Sequence, residues 1–261
     1  MEMKKEIKIS FVIVARDEEK MIGGCLRSLK WADEVIVINH GSEDKTKKIA
    51  QQFGAKVFDL SREKRVNYSR PRNEGLKRAL GEWIFYIDAD ERVSQELRKE
   101  LQEMDLDSES EKHTWFAVPR MNVILGKPMK HGGWWPDYVK RLFKKSSLSK
   151  WRGELHEEPV VEGMMGKLKS PLRHEKHETV FEMLEKTNEW SEIEGKLMFE
   201  SNHPPMNIVR FCSAMAREFW YRMIKKMAFL DGPKGIIMAM YQVYSRFISY
   251  AKLWEMQISK K

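Results

Sequence analysis

One alternation dominates the first hundred residues. Short runs rich in Val, Ile and aromatic residues occupy 7–14, 34–38, 55–60 and 83–87. Between them lie stretches with helical spacing: from Asp17 to about residue 29, from Ser42 or Asp44 through 52, and over 72–80. Asp17, and Ser42 or Asp44, are the expected N-caps, and Gly54 and Gly81 are the expected stops. Strand, helix, strand, helix, strand, helix, strand requires a largely parallel sheet with right-handed crossovers, so the chain is expected to be α/β. In such a sheet, ligands bind where strand ends meet helix N-termini.

The fourth run ends in chemistry. Trp83-Ile84-Phe85-Tyr86-Ile87 is apolar on both faces, and Asp88-Ala89-Asp90 follows directly. Residues i and i+2 of an extended chain point the same way, so Asp88 and Asp90 can turn two carboxylates toward one point beyond the strand. Two such anions call for a divalent cation, Mg²⁺ or Mn²⁺, whose shell substrate phosphates complete. The competing reading is that both aspartates only cap a following helix. No Gly-x-Gly-x-x-Gly follows the first run and no Walker loop occurs, which argues against a dinucleotide dehydrogenase and a P-loop NTPase.

Lys+Arg 47 against Asp+Glu 39 leaves a formal charge of +8. Much of this excess lies after residue 120, which fits a phosphate-bearing partner or an anionic membrane surface. No zinc-finger spacing or RNA-binding signature accompanies it, so nucleic acid is not the expected partner. Two cysteines, Cys25 and Cys212, sit in helix-like patterns, as expected of a reducing, cytoplasmic setting. The start, Met1 to Lys5, has no signal-peptide core, and no stretch reaches about 18 uninterrupted apolar residues.

Three segments in order then carry a resemblance: Val-Ile-Val-Ala-Arg-Asp-Glu-Glu, Asn-His-Gly-Ser-Glu-Asp-Lys-Thr, and Arg-Asn-Glu-Gly with Gly-Glu-Trp-Ile-Phe-Tyr-Ile-Asp-Ala-Asp-Glu. Together they resemble the inverting family 2 glycosyltransferases of GT-A fold. The resemblance implies a nucleotide-sugar site built from Ala15, Arg16, Glu18, Asn39, Ser42, Arg72, Asp88, Ala89 and Asp90. The family usually has Asp where this chain has Asn39, facing uracil; an amide can also donate and accept there. Arg72 reads equally as a phosphate or base contact and as a solvated arginine at a helix start.

The second half extends the likeness. His131-Gly132-Gly133-Trp134-Trp135-Pro136-Asp137-Tyr138 through Arg141-Leu142-Phe143, then His156-Glu157 and Leu172-Arg173-His174, resemble the branch of lipopolysaccharide core glucosyltransferase-like proteins. Trp134, Trp135, Tyr138 and Arg141 are the expected acceptor contacts, although paired tryptophans also suit a core. An inverting transfer needs one carboxylate base near the acceptor hydroxyl. Glu157 is the first candidate and Asp137 the second. His174 is a candidate third metal ligand or diphosphate contact; a structural histidine is the alternative.

The expected organisation is a GT-A catalytic domain over 1–203, with a donor half to about 104 and an acceptor half over about 113–203, and a helical appendage over 204–261. Ser94 is the expected cap of a helix over 94–104, the acidic stretch 105–112 is expected to be a surface loop, and a strand is expected at 115–119. Further helices are expected over 180–199, 207–230 and 234–256. The last two carry Met and aromatic residues interleaved with Arg and Lys, which suits either packing on the domain or a twin subunit, or lying on the inner face of the plasma membrane. The resemblance implies transfer of a hexose, glucose by the branch, from a UDP-sugar to a saccharide or lipid-linked acceptor; a protein acceptor stays open. A sugar nucleotidyltransferase, a noncatalytic sugar-binding relative and a basic nucleic-acid-binding module are the alternatives.

Overall fold

The computed structural model describes residues 8–63, 67–153, 157–177 and 179–259. It runs β1 (Ile9–Ala15), α1 (Ile22–Ser28), β2 (Glu34–His40), α2 (Thr46–Gln52), β3 (Lys56–Leu60), α3 (Ser69–Arg78), β4 (Trp83–Asp88), β5 (Glu91–Val93), α4 (Gln95–Glu103) and α5 (Leu106–Lys112). Next come β6 (Trp115–Ile124), β7 (Lys127–Pro128), β8 (Asp137–Lys144), β9 (Leu148–Arg152), β10 (Glu158–Val161), β11 (Met165–Lys167) and β12 (Leu172–His177). The chain ends in α6 (Val180–Glu200), α7 (Ile208–Phe219) and α8 (Gly232–Ser259). It divides into two compact units, residues 1–120 with 137–174, and residues 121–136 with 175–261.

The first unit holds the sheet, in the order β3-β2-β1-β4-β8-β6-β12-β5. β3, β2, β1 and β4 are parallel, as the alternation requires, and β8 then turns antiparallel to β4. This is the α/β arrangement expected from the sequence. Both faces of the central strands are covered. Phe11, Ile13, Phe85 and Ile87 point into one cluster, and Val12, Ile84 and Tyr86 into the other. Period-two alternation along each strand produces that split. Gly75 lets α3 sit directly on β1, because a Cβ there would overlap Val12 Cγ1.

Several local expectations change. Asp17 does not cap α1, whose first turn has no side-chain cap. Instead Asp17 takes a left-handed φ of 55°, and its carboxylate accepts from the Glu43 amide at 2.8 Å. The acidic stretch 105–112 is not a loop. Asp105 accepts from the Ser108 amide, and Leu106 is buried, so a cap and one apolar anchor suffice to make α5. The residues after Asp90 form β5, so neither aspartate caps the next helix; Ser94 caps α4.

The second unit is helical around a β-turn. β7 pairs with the end of β6. Ile124, Met129, Met183 and Met238 make its core, with Trp134 and Tyr241 against them. The helix expected over 207–230 ends at Phe219 and continues as a π-turn over Trp220–Lys225. Met227, at φ 50°, then reverses the chain into a 3-10 turn over Ala228–Asp231. The boundary expected near 204 does not separate these helices. α6 packs with α8, the Tyr241 hydroxyl donating to the Met183 carbonyl at 2.9 Å and Ser249 Oγ to Glu194 at 2.6 Å.

Candidate active site

The register of the parallel strands sets their ends side by side at the carboxyl edge. Asp59 lies beside Asn39, Asn39 beside Ala15, and Val14 beside Asp88. Asn39 Nδ2 donates to Asp59 Oδ1 at 2.7 Å, and its Oδ1 accepts from the Ser42 amide at 3.3 Å. Lys47 Nζ holds the other Asp59 oxygen at 2.6 Å. The bonds from Asn39 and Lys47 hold the Asp59 carboxyl below its ordinary range. The loop after β1 is stitched to the loop after β2. The Asp17 amide donates to Ser42 Oγ at 3.0 Å, and the Glu18 amide to Thr46 Oγ1 at 2.7 Å. These bonds shape the two loops that carry Arg16, Glu18 and Ser42.

Asp88 stands between two guanidinium groups. Arg72 Nη2 reaches its Oδ1 at 3.0 Å, and Arg141 Nη2 reaches its Oδ2 at 2.5 Å. Burial alone would raise the Asp88 pKa, but Arg141 and Arg72 more than offset it and hold the carboxyl well below its usual range. Arg141 also bonds Glu91 Oε1 at 2.6 Å, and Glu91 Oε2 accepts from the Asp88 amide at 3.0 Å. Glu91 is wholly buried, and burial first, with Asp88 and Asp90 nearby, pushes its pKa up. Burial alone would lower the Arg141 pKa, but Asp88 and Glu91 more than offset it and raise it. Arg141 was expected at an acceptor surface. Its place in the buried half of β8 makes it instead the counter-ion beneath Asp88.

Arg72 stands at the start of a helix, as expected, but it is not solvated. It is 8% exposed, in the first turn of α3, with its guanidinium 4.9 Å from the Trp151 ring and 5.7 Å from that of Tyr86. The Tyr86 hydroxyl donates to the Arg72 carbonyl. Asn73 grips the Trp151 backbone through both ends of its amide, at 2.9 and 2.7 Å. That clamp brings β9 under Arg72. The Nε of Arg72 then reaches Glu157 Oε1 at 3.0 Å. One guanidinium therefore joins Asp88 to the first candidate base, which lies 85 residues beyond Arg72 in the chain.

Asp90 faces a different partner. Its Oδ2 lies 3.1 Å from His174 Nε2, brought there by the antiparallel pairing of His174 with Glu91. A carboxylate and an imidazole side by side are a donor pair suited to a divalent cation, with phosphates and water completing the shell. Asp88 fits that role less well, since both its oxygens already accept from arginine. Among the described residues no group of three or more His, Cys, Asp or Glu side chains is placed to hold a metal unaided.

The remaining expected residues spread out. Ala89 is buried, behind the two aspartates. Arg120 grips Asp137 through Nε and Nη2 at 2.9 and 2.7 Å. Tyr138 is exposed, with Lys167 over its ring at 4.8 Å. In the second unit Trp134 is half-buried, with Lys176 at 4.9 Å and Arg222 at 5.3 Å from its ring. Trp135 is also half-buried and precedes a cis proline. Glu154, Leu155 and His156 of the expected base segment lie outside the described residues. Tyr68, not singled out in the sequence, lies within the fields of Glu157, Arg16, Asp88 and Glu18; burial and the Glu157 charge push its hydroxyl pKa up. Asp59 was also missed, and its place opposite Asn39 is the signal that could have found it.

Residues 10–153 match the family described as Glycosyl transferase family 2. The chain belongs to this family. Over nearly its whole length it is similar to the lipopolysaccharide core biosynthesis glycosyltransferase LpsC of Rhizobium meliloti, at 24% identity, covering 97% of this chain and 94% of that protein. A TPR repeat-containing protein of Synechococcus elongatus is 38% identical over 95 residues, which are 36% of this chain and only 23% of that protein. Among solved structures, TarS of S. aureus in complex with UDP-GlcNAc is similar at 13% identity and a TM-score of 0.46, covering 97% of this chain and 92% of that one. As a family 2 glycosyltransferase, the chain has its matched segment spanning β1 to β9, with Asp88, Asp90, Arg72 and Asn39 inside it and Glu157 and His174 beyond it.

Proposed function

We propose that this glycosyltransferase transfers a hexose, glucose by its branch, from a UDP-sugar to a saccharide or glycolipid acceptor with inversion, in cell-surface glycan synthesis. The observation that carries the reading is the Arg72 guanidinium shared by Asp88 and Glu157. The likeness to LpsC supports the acceptor class. Ala15, Arg16, Glu18, Asn39 and Ser42 line the nucleoside end of the site. Asp90 and His174 would hold Mg²⁺ or Mn²⁺, which would supply positive charge to the leaving diphosphate.

In the reaction an acceptor hydroxyl oxygen bonds to the anomeric carbon. The bond from that carbon to the phosphate oxygen breaks, and its electron pair leaves with the nucleoside diphosphate. Glu157 takes the hydroxyl proton. Arg72 begins on Glu157 and Asp88; an arriving diphosphate competes for its fork, since guanidinium binds phosphate oxygens in pairs. That competition would turn Glu157 from ion-pair partner to base when donor is present.

Transfer assays with Glu157→Gln and thermal titrations of Asp90→Ala with UDP and Mn²⁺ test this. Loss of a general base lowers turnover by roughly 10²–10⁴-fold. UDP should still raise the melting temperature of Glu157→Gln, because a ligand of the native state stabilises it by mass action. Asp90→Ala should lose the Mn²⁺-dependent part of that rise. Full turnover in Glu157→Gln would move the base to Asp137, and a response to a nucleotide other than UDP would overturn the donor.

A further inference from the structure

The chain reversal in the second unit carries a surface of one-sided chemistry. From Arg217 to Met240 every exposed side chain is aromatic, aliphatic, proline or basic. The two acids of that stretch are withdrawn. Glu218 pairs with Arg222 at 2.8 Å, and Asp231 is buried, accepting from the Lys130 and His131 amides at 3.0 and 2.8 Å. What remains outward includes Trp220 at 55% exposure, Phe229 at 46% and Leu230 at 53%, with Lys225, Lys226 and Lys234 between them. Buried apolar residues stabilise a fold, so an exposed cluster of this size at a chain reversal has no structural reason to persist.

α8 continues the surface. Ile236, Met240, Tyr244 and Phe247 recur at helical spacing and are each more than two-fifths exposed, while Met238, Ala239 and Leu253 are buried on the other side. This is the pattern of a helix lying in an interface plane. Lys225 and Lys226 stand 5.9 and 5.8 Å from the Tyr221 ring, so each combines an apolar stem with a cationic tip. No helix among the described residues is long and apolar enough to cross a membrane.

Charge decides between the occupants. In a two-fold dimer the patch would face itself, setting Lys225, Lys226 and Lys234 against their own copies with no exposed acid in the stretch to answer them. A bilayer bearing anionic headgroups satisfies the lysines and the apolar residues together. We propose that residues 217–240 dock this protein on an anionic membrane surface, Trp220, Phe229 and Leu230 entering the headgroup layer and the three lysines meeting lipid phosphates. The docking segment also holds the loop before Trp134: the Gly132 amide donates to the Lys226 carbonyl at 2.7 Å, and Arg222 donates to the Gly132 carbonyl at 2.8 Å. Membrane binding here does not rest on the transferase chemistry.

Flotation with phosphatidylcholine vesicles, with and without phosphatidylglycerol, tests it on the full chain. The wild type should float only with the anionic vesicles and be released by salt. Each lysine near such a surface is worth roughly a fivefold change in partitioning, so Lys225→Gln with Lys226→Gln should lower it on the order of 25-fold. Trp220→Ser, Phe229→Ser and Leu230→Ser together should abolish flotation. These side chains are exposed, so an unchanged melting temperature shows that the fold persists. Failure of the wild type to float, or equal flotation of the variants, overturns the proposal. So does a wild-type dimer in sedimentation that the triple variant dissolves, which would assign the surface to a second copy.

Discussion

Replacing Arg72 by Met would keep an apolar stem on Trp151 and Tyr86 while removing the charge shared by Asp88 and Glu157. Deleting one partner of a buried ion pair costs about 3–5 kcal/mol. Asp88 retains Arg141 and is 34% exposed at its side chain, so part of that cost is not realised. The expected loss is about 2–3 kcal/mol, or roughly 5–10 °C of melting temperature for a protein of this size. The pH dependence has a definite sign. Asp88 has a depressed pKa in the folded state, so its contribution is present above the unfolded carboxylate value of about 3.9 and is lost as pH falls toward the folded one. The gap between wild type and variant should therefore be full at neutral pH and narrow in acid. Thermal melts read by circular dichroism across pH measure it. Arg72→Lys, which keeps the charge but not the fork, should fall between the two. The reasoning fails if Arg72→Met melts with the wild type, or if Arg72→Met and Glu157→Gln add within about 0.5 kcal/mol when combined, since residues in contact should couple.

Gly75→Ala gains about 1 kcal/mol of helix propensity but sets a methyl into Val12; overpacking costs about 1–3 kcal/mol, so the variant should melt lower and bind UDP more weakly as α3 moves. Glu34→Gln removes a buried carboxylate that accepts from Ser10 at 2.5 Å, Lys56 at 2.7 Å and the Leu80 amide at 2.8 Å; although burial raises its pKa, these bonds hold it lower. The loss should be about 1–3 kcal/mol at neutral pH and should shrink as pH falls below the ordinary glutamate range, whereas a pH-independent gap would refute the account. Asp231→Asn should destabilise the second unit, because an amide cannot accept from both backbone donors and His131 as the carboxylate does; loss of hydrogen-exchange protection at Lys130 and His131 would show it.

What could be read from the chain alone follows the range of each signal. Strand and helix alternation is local, and it predicts the parallel sheet and the placement of Asp88 at a ligand edge. Pairings across long stretches are not local. Nothing in the spacing of Arg141 says that it lies under Asp88, and only the resemblance pointed to His174, 84 residues from Asp90. Short polar segments misled in both directions. Asp17 looked like a cap but serves the neighbouring loop, and 105–112 looked unstructured but is held by one cap and one leucine. Asp59 escaped notice because a strand-end aspartate carries no pattern of its own; its meaning comes from the strand beside it.

Asp231 takes the amides of Lys130 and His131, the Lys226 carbonyl takes that of Gly132, and Lys127 Nζ reaches the Asp231 carbonyl. These bonds make the C-terminal helices poor material for exchange between relatives. A chimera that swapped residues 204–261 alone would leave three loop amides to find new acceptors, each at a cost of about 1–3 kcal/mol. Grafts should travel with residues 127–134 in the same cassette, and inheritance has reason to keep the two segments matched: a change on one side is tolerated only when the other side answers it.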